Sequence, residues 1–281
     1  MGPNLGGPGA AEQPKLPIQG VQSLIAVGSG KGGVGKTTVS VNLAIALSQS
    51  GYKVGLLDAD VYGPNVPLMM GIRDAPTAIG DRIQPLEQHG IRIMSMGFLN
   101  PGDKPLIWRG PMLNSVIQQF VRGVDWGSLD FLVIDLPPGT GDVQLSLLQT
   151  APVTGAVVVT TPSEVSLEDA RKAVLMFRQL RVEVLGLVEN MSYMAVPGTN
   201  QRIDVFGQGG GRRTAEAMAV PFLGELPLDP AVRIGGDRGR PVALLGSQDP
   251  QAAAFFDIAK LVSEGARKAG GVKGPKISIE E

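Results

Sequence analysis

Short apolar runs alternate along this chain with longer stretches in which apolar residues recur at helical spacing. Runs at 24–27, 54–57, 91–96, 131–134, 156–161, 184–189 and 222–226 are rich in Val, Ile and Leu. Most show little polar alternation, which is the pattern of strands covered on both faces. Segments 39–47, 114–122, 165–180 and 250–269 carry helical spacing instead. This alternation predicts an α/β fold, a mostly parallel sheet with helices on both faces. In such sheets ligands bind at the carboxyl ends of the strands, and the polar motifs of this chain follow its strand ends. No internal repeat is present.

Residues 1–17 are rich in Gly and Pro and are expected to form a disordered tail. Residues 18–269 are expected to form one domain, and 270–281 a loose tail. A chain of 281 residues can bury a substantial core. Its 25 basic and 26 acidic residues nearly balance, which argues against a dedicated nucleic-acid binder. No apolar run reaches membrane-spanning length. The start has neither a basic segment nor an apolar core of the secretory kind. The expectation is a soluble cytoplasmic protein. Cysteine is absent from the whole sequence. That excludes disulfides, thiolate catalysis and a cluster ligated by the chain's own cysteines. His89 is the only histidine and reads as a turn residue beside Gly90.

The strand at 24–27 runs into Gly28-Ser29-Gly30-Lys31-Gly32-Gly33-Val34-Gly35-Lys36-Thr37-Thr38, and a helix follows. Gly30 to Thr37 fit G-x-x-x-x-G-K-[ST] in the strand–turn–helix context that a phosphate-binding loop requires. Glycines let backbone N–H groups converge on phosphate oxygens without Cβ clashes. The helix N-terminus adds unpaired donors and a positive dipole end. Gly30, Lys31, Gly32, Gly33, Val34 and Gly35 thus read as the nucleotide cradle. Lys36 supplies a cation for the outer phosphates, the Thr37 hydroxyl a ligand for Mg²⁺, and Thr38 a contact to the innermost phosphate.

Two further strand ends carry acids. Asp58-Ala59-Asp60 closes the strand at 54–57. Acids there either cap the turn, which is common work for Asp, or serve phosphate chemistry. Asp135 follows four apolar residues in the Walker B manner and can hold a Mg²⁺ shell through water. Gly139, in the following Pro137-Pro138-Gly139 turn, can offer its N–H to a γ-phosphate.

Lys31-Gly32-Gly33-Val34-Gly35-Lys36-Thr37-Thr38 resembles the loop of the deviant Walker A NTPases, among them MinD, ParA, the nitrogenase iron protein and the Mrp/ApbC group. The resemblance narrows to Mrp/ApbC through Asp58-Ala59-Asp60-Val61-Tyr62-Gly63-Pro64-Asn65, Trp108-Arg109-Gly110-Pro111-Met112 and Asp135-Leu136-Pro137-Pro138-Gly139-Thr140-Gly141-Asp142. Glu189-Asn190-Met191-Ser192-Tyr193, Phe206-Gly207-Gln208-Gly209-Gly210-Gly211 and Gly224-Glu225-Leu226-Pro227-Leu228-Asp229-Pro230 belong to the same set. It spans roughly residues 20–265 and implies an ATPase that carries iron–sulfur clusters to apoproteins. It further implies an ATP-sandwich homodimer in which Lys31 reaches the partner's nucleotide and acts in catalysis beside Lys36. Asp60 would orient the attacking water and stand with Thr37 and Asp135 around Mg²⁺. Asp58 would act near the metal or hold the loop. Asn190 and the backbone at Pro227 would frame the adenine. Trp108 and Arg109 receive no role.

The chain departs from the family at Met194 to Asn200, where many members carry C-x-x-C and this one has Val196 and Thr199. Neither replaces a thiolate. Many members also carry a small domain ahead of the ATPase domain, and this sequence lacks it. An iron–sulfur cargo is therefore expected only with ligands from a partner, such as a scaffold or apoprotein client, or at a labile bridging site. The alternative is a MinD- or ParA-like positioning switch. Gly270 to Pro275 would break a membrane-tethering helix, and a DNA face would have to come from Arg212, Arg213, Arg233, Arg238 and Arg240. No membrane or nucleic-acid partner is expected.

Overall fold

The computed structural model describes residues 16–99, 110–196, 198–199 and 201–270. Trp108 and Arg109, most of both tails, and Pro197 and Asn200 lie outside the described residues.

The chain opens with β1 (Val21–Gly28), α1 (Lys36–Gln49), β2 (Val54–Asp58) and the short α2 (Val66–Met69). Three small strands follow, β3 (Thr77–Ile79), β4 (Arg82–Gln84) and β5 (Leu86–Gln88), then β6 (Ile91–Ser95) and α3 (Gly110–Arg122). Next come β7 (Leu129–Asp135), α4 (Asp142–Thr150), β8 (Gly155–Thr160), α5 (Glu164–Gln179) and β9 (Val184–Glu189). The hairpin of β10 (Met194–Ala195) and β11 (Arg202–Ile203) leads to α6 (Gly210–Ala217), β12 (Phe222–Glu225), α7 (Pro230–Asp237) and α8 (Ala253–Lys268).

Among the described residues the main sheet has eight strands in the order β12-β9-β8-β1-β7-β2-β6-β5. All its pairings are parallel except β5 with β6. The continuous apolar runs become the central strands because both faces are covered. Successive side chains point to opposite faces. Ile25, Val27, Leu56 and Val133 face one core with α1 and α8, while Leu24, Ala26, Leu57 and Leu132 face the other with α3, α4 and α5. Helix α1 is buried along most of its length, since it lies between the sheet, α8 and the 242–245 turn.

The register fixes the site. β1 has β7 on one side and β8 on the other, with β2 one strand further out. Asp58 lies level with Asp135 of β7 and with Ser95 of β6, and Val27 is level with Asp135. The chain therefore leaves β1 at the reversal point of the strand order, where open α/β sheets form their crevice. Helix α8 starts at Ala253 rather than at Pro250, and α1 begins at Lys36, three residues before its apolar spacing. Among the described residues no helix is long and apolar enough to cross a membrane.

Candidate functional site

The turn between β1 and α1 is built from backbone. Gly35 stands at the N-cap of α1 with φ of 80°, a left-handed conformation natural to glycine. The Asn190 side chain occupies the space its Cβ would need, and Nδ2 of Asn190 donates to the Val34 carbonyl at 2.8 Å. Gly30 rests against the α5 backbone, where a Cβ would collide with the Asp169 carbonyl. The Ser29 hydroxyl donates to the Lys31 carbonyl at 2.9 Å. Among the described residues no carboxylate pairs with Lys31.

Behind the turn lies a buried polar cluster. Lys36 Nζ is 2.8 Å from Asp135 Oδ1 and 3.7 Å from Asp60 Oδ2. The Thr37 hydroxyl donates to Asp135 Oδ2 at 2.7 Å, and the Ser40 hydroxyl to Asp135 Oδ1 at 2.6 Å. Asp135 is completely buried. One cation and two hydroxyls meet its two oxygens, so the buried carboxyl has its polar partners. Ser40 was not legible as a site residue, although it lies one helical turn after Lys36 and so shares its face.

The two acids after β2 divide their work. Asp58 accepts from the Ser95 hydroxyl at 2.8 Å, the Val66 N–H at 3.2 Å and the Asp60 N–H at 3.1 Å. It thereby ties β6, the start of α2 and its own loop together. Burial, and then the Asp135 charge, push its carboxyl up to about 7, against the lowering pull of those three donors. Asp60 Oδ1 accepts from the N–H groups of Tyr62 and Gly63 at 3.2 and 3.3 Å, an Asx-type turn. Burial raises its carboxyl above the usual range, while Lys36 opposes the shift. Both aspartates thus do turn work, and Asp60 also points an oxygen toward Lys36.

These groups border a cavity of about 730 Å³ lined by Lys31 to Thr38, Asp60, Pro138, Asn190 and Pro227. Tyr62, Met191, Asp229 and Arg233 also line it, and the motifs had not singled them out as binders. Gly30, Asp135 and Gly139 are not among its lining residues. The Gly139 N–H, expected to face a phosphate, donates instead to the Ser29 carbonyl at 3.0 Å. A backbone donor takes the nearest carbonyl, and at φ of 90° Gly139 presents its N–H to Ser29.

His89 lies in its turn with φ of 52° and contacts the Gly239 carbonyl, and it does not line this cavity. Three of the five arginines weighed for a DNA face have partners of their own. Arg212 stacks over Phe222, Arg213 donates to the Gln208 carbonyl, and Arg233 pairs with Asp237.

The family model of the NUBPL iron-transfer P-loop NTPase matches residues 20–263. A protein of Synechocystis named iron–sulfur cluster carrier protein is 51% identical over 249 residues, which is 86% of this chain and 70% of that protein. A solved nucleotide-binding protein of Archaeoglobus fulgidus, in complex with ADP, is 38% identical with a TM-score of 0.73, covering 84% of this chain and 92% of that one. The cell division ATPase MinD of Pyrococcus furiosus shares the fold at 24% identity and a TM-score of 0.65, over 86% of this chain and 99% of its own.

Proposed function

The chain belongs to the NUBPL iron-transfer P-loop NTPase family, and from that membership we propose that it binds Mg·ATP in the crevice at β1 and hydrolyses it to ADP and phosphate. The observation that carries this reading is the Lys36–Asp135–Thr37 cluster behind a glycine turn, with Asp60 3.7 Å from Lys36 at the cavity wall.

The loop N–H groups and Lys36 would hold the phosphates, and Thr38 would touch the innermost one. Mg²⁺ would be held by the Thr37 hydroxyl, with Asp135 and Asp60 close to its water shell, and would supply charge neutralisation across the outer phosphates. This donor set, one hydroxyl backed by carboxylates, suits a cation that keeps several waters. Asp60 would orient water for attack on the γ-phosphorus. The bond from that phosphorus to the ADP oxygen breaks, and the water's proton leaves with inorganic phosphate. Asn190 and Pro227 would frame the base. Lys31, free of carboxylate partners among the described residues, would serve the nucleotide of a second copy.

Relatives are named for carrying iron–sulfur clusters, and we propose that this chain acts on the ATP-driven side of the same transfer. Its residues do not fit a stable cluster of its own. The sequence has no cysteine, and the described residues hold no group of three or more His, Asp or Glu placed for a metal. Thiolates for any cargo would come from a partner. A DNA-positioning role finds no support in the near balance of 25 basic and 26 acidic residues.

The test is phosphate release by the purified protein with Mg·ATP. Wild type should turn over, and Asp60→Ala should bind Mg·ATP yet hydrolyse it roughly a hundredfold more slowly. A wild type without turnover, or an Asp60→Ala variant matching it, would overturn the reading.

A further inference from the structure

Gln144, in the first turn of α4, is 1% exposed and uses only half of its amide. Its Nε2 donates to the Pro137 carbonyl. Its Oε1 is buried and has no hydrogen-bond partner among the described residues. The orientation is forced by chemistry. The Pro137 carbonyl can only accept, so the NH₂ side must face it, and the amide oxygen turns away. A buried acceptor left bare is costly, and such atoms are rare in folded proteins.

The position explains what the bare atom is for. Gln144 is the third residue of α4 after its N-cap Gly141, and that cap has no side-chain hydrogen bond. A glutamine at this place ordinarily accepts from the N-cap N–H. Here it is pulled instead toward Pro137, at the start of the turn that holds Pro138 and Gly139. Pro138 lines the candidate site, and the Gly139 N–H is tied to the Ser29 carbonyl of the P-loop. The turn is therefore held at one end by Gln144 and at the other by Ser29.

We propose that Gln144 is a positioning residue for the phosphate chemistry: it fixes the 137–139 turn through the Pro137 carbonyl, and its free Oε1 takes the Gly141 N–H when that turn shifts to engage a γ-phosphate. Gln144 itself does not line the candidate site. The inference rests on the ATPase reading, so the experiment separates the two. Wild type is measured first, and failure to bind or hydrolyse Mg·ATP would end both. Gln144→Met keeps the length and loses the donor and acceptor.

With this variant, affinity for Mg·ADP should stay within about twofold. The value of kcat should fall about tenfold or more with little change in KM, and the preference for a non-hydrolysable ATP analogue over ADP should shrink. Unchanged kcat and preference, or an equal loss of ADP and analogue binding, would overturn the proposal. A further measurement needs no variant. The side-chain amide signal of Gln144 in ¹⁵N-labelled wild type should shift between the ADP and analogue complexes, and an identical signal in both would overturn it equally.

Discussion

Lys36 Nζ lies 2.8 Å from Asp135 Oδ1, and the Ser40 hydroxyl reaches the same oxygen at 2.6 Å. A P-loop lysine and the acid of a strand 99 positions later are thus in direct contact, and a serine on the same helix face as the lysine donates to the same oxygen. Parallel pairing of β1 with β7 brings them together. Removing Ser40's hydroxyl withdraws one charge-assisted bond from a fully buried carboxylate. Ser40→Ala is expected to cost about 1.5–3 kcal/mol in urea unfolding, while Mg·ATP affinity changes little because Lys36 and Thr37 remain.

Asp58 acts as a clamp rather than a charge. Three donors from β6, α2 and its own loop converge on it, and burial favours its neutral form. Asp58→Asn has nearly the same shape and keeps an accepting oxygen. Asp58→Ala strands three buried donors and should cost at least about 3 kcal/mol, with Asp58→Asn losing clearly less. Equal losses in paired unfolding curves would refute a clamp that one accepting oxygen can partly maintain.

Lys31 sits in the turn without a carboxylate neighbour among the described residues, and Lys36 already serves its own subunit's cluster. Two phosphate sites brought face to face repel, and a lysine from each copy placed on the other's nucleotide would offset that repulsion. On an Asp60→Ala background with Mg·ATP, light scattering should report a dimer that Lys31→Ala disrupts, with ATP affinity of the monomer kept. Equal masses with and without Lys31→Ala would refute a role across an interface.

Cluster binding should fail in isolation. After anaerobic reconstitution with iron and sulfide and then desalting, the protein should retain no stoichiometric iron and no charge-transfer bands, because no thiolate is available. Bands that survive desalting and track bound iron would show a ligand set other than cysteine.

The central strands and the P-loop were legible because one-sided patterns are absent where both faces are buried, and because glycine spacing has a single strong meaning before a helix. Asp135 was legible from its place after four apolar residues. Other parts depended on contacts distant in sequence. Helix α6 begins in Gly210-Gly211, where propensity forbids a helix. It forms because the buried Glu189 carboxylate accepts the Gly211 N–H, at an approach that leaves no room for a Cβ. Helix α7 likewise carries Gly235 and Gly236, which make room for the Arg240 carbonyl and the Met69 side chain. Strands β3 and β4 have three residues each, β3 exposed and β4 half-buried throughout, so no alternating burial pattern marks them. Ser40, Ser95 and Gln144 gain meaning only from the register that sets them against Asp135, Asp58 and Pro137.

The account stands most directly on calorimetric titration of Mg·ATP into the purified protein and into Lys36→Ala. It predicts one saturable site in the wild type and a loss of affinity of roughly a hundredfold or more in the variant, because the outer phosphates lose their cation. Wild type without saturable heat, or a Lys36→Ala isotherm that overlays it, would contradict the claim that this crevice is a nucleotide site.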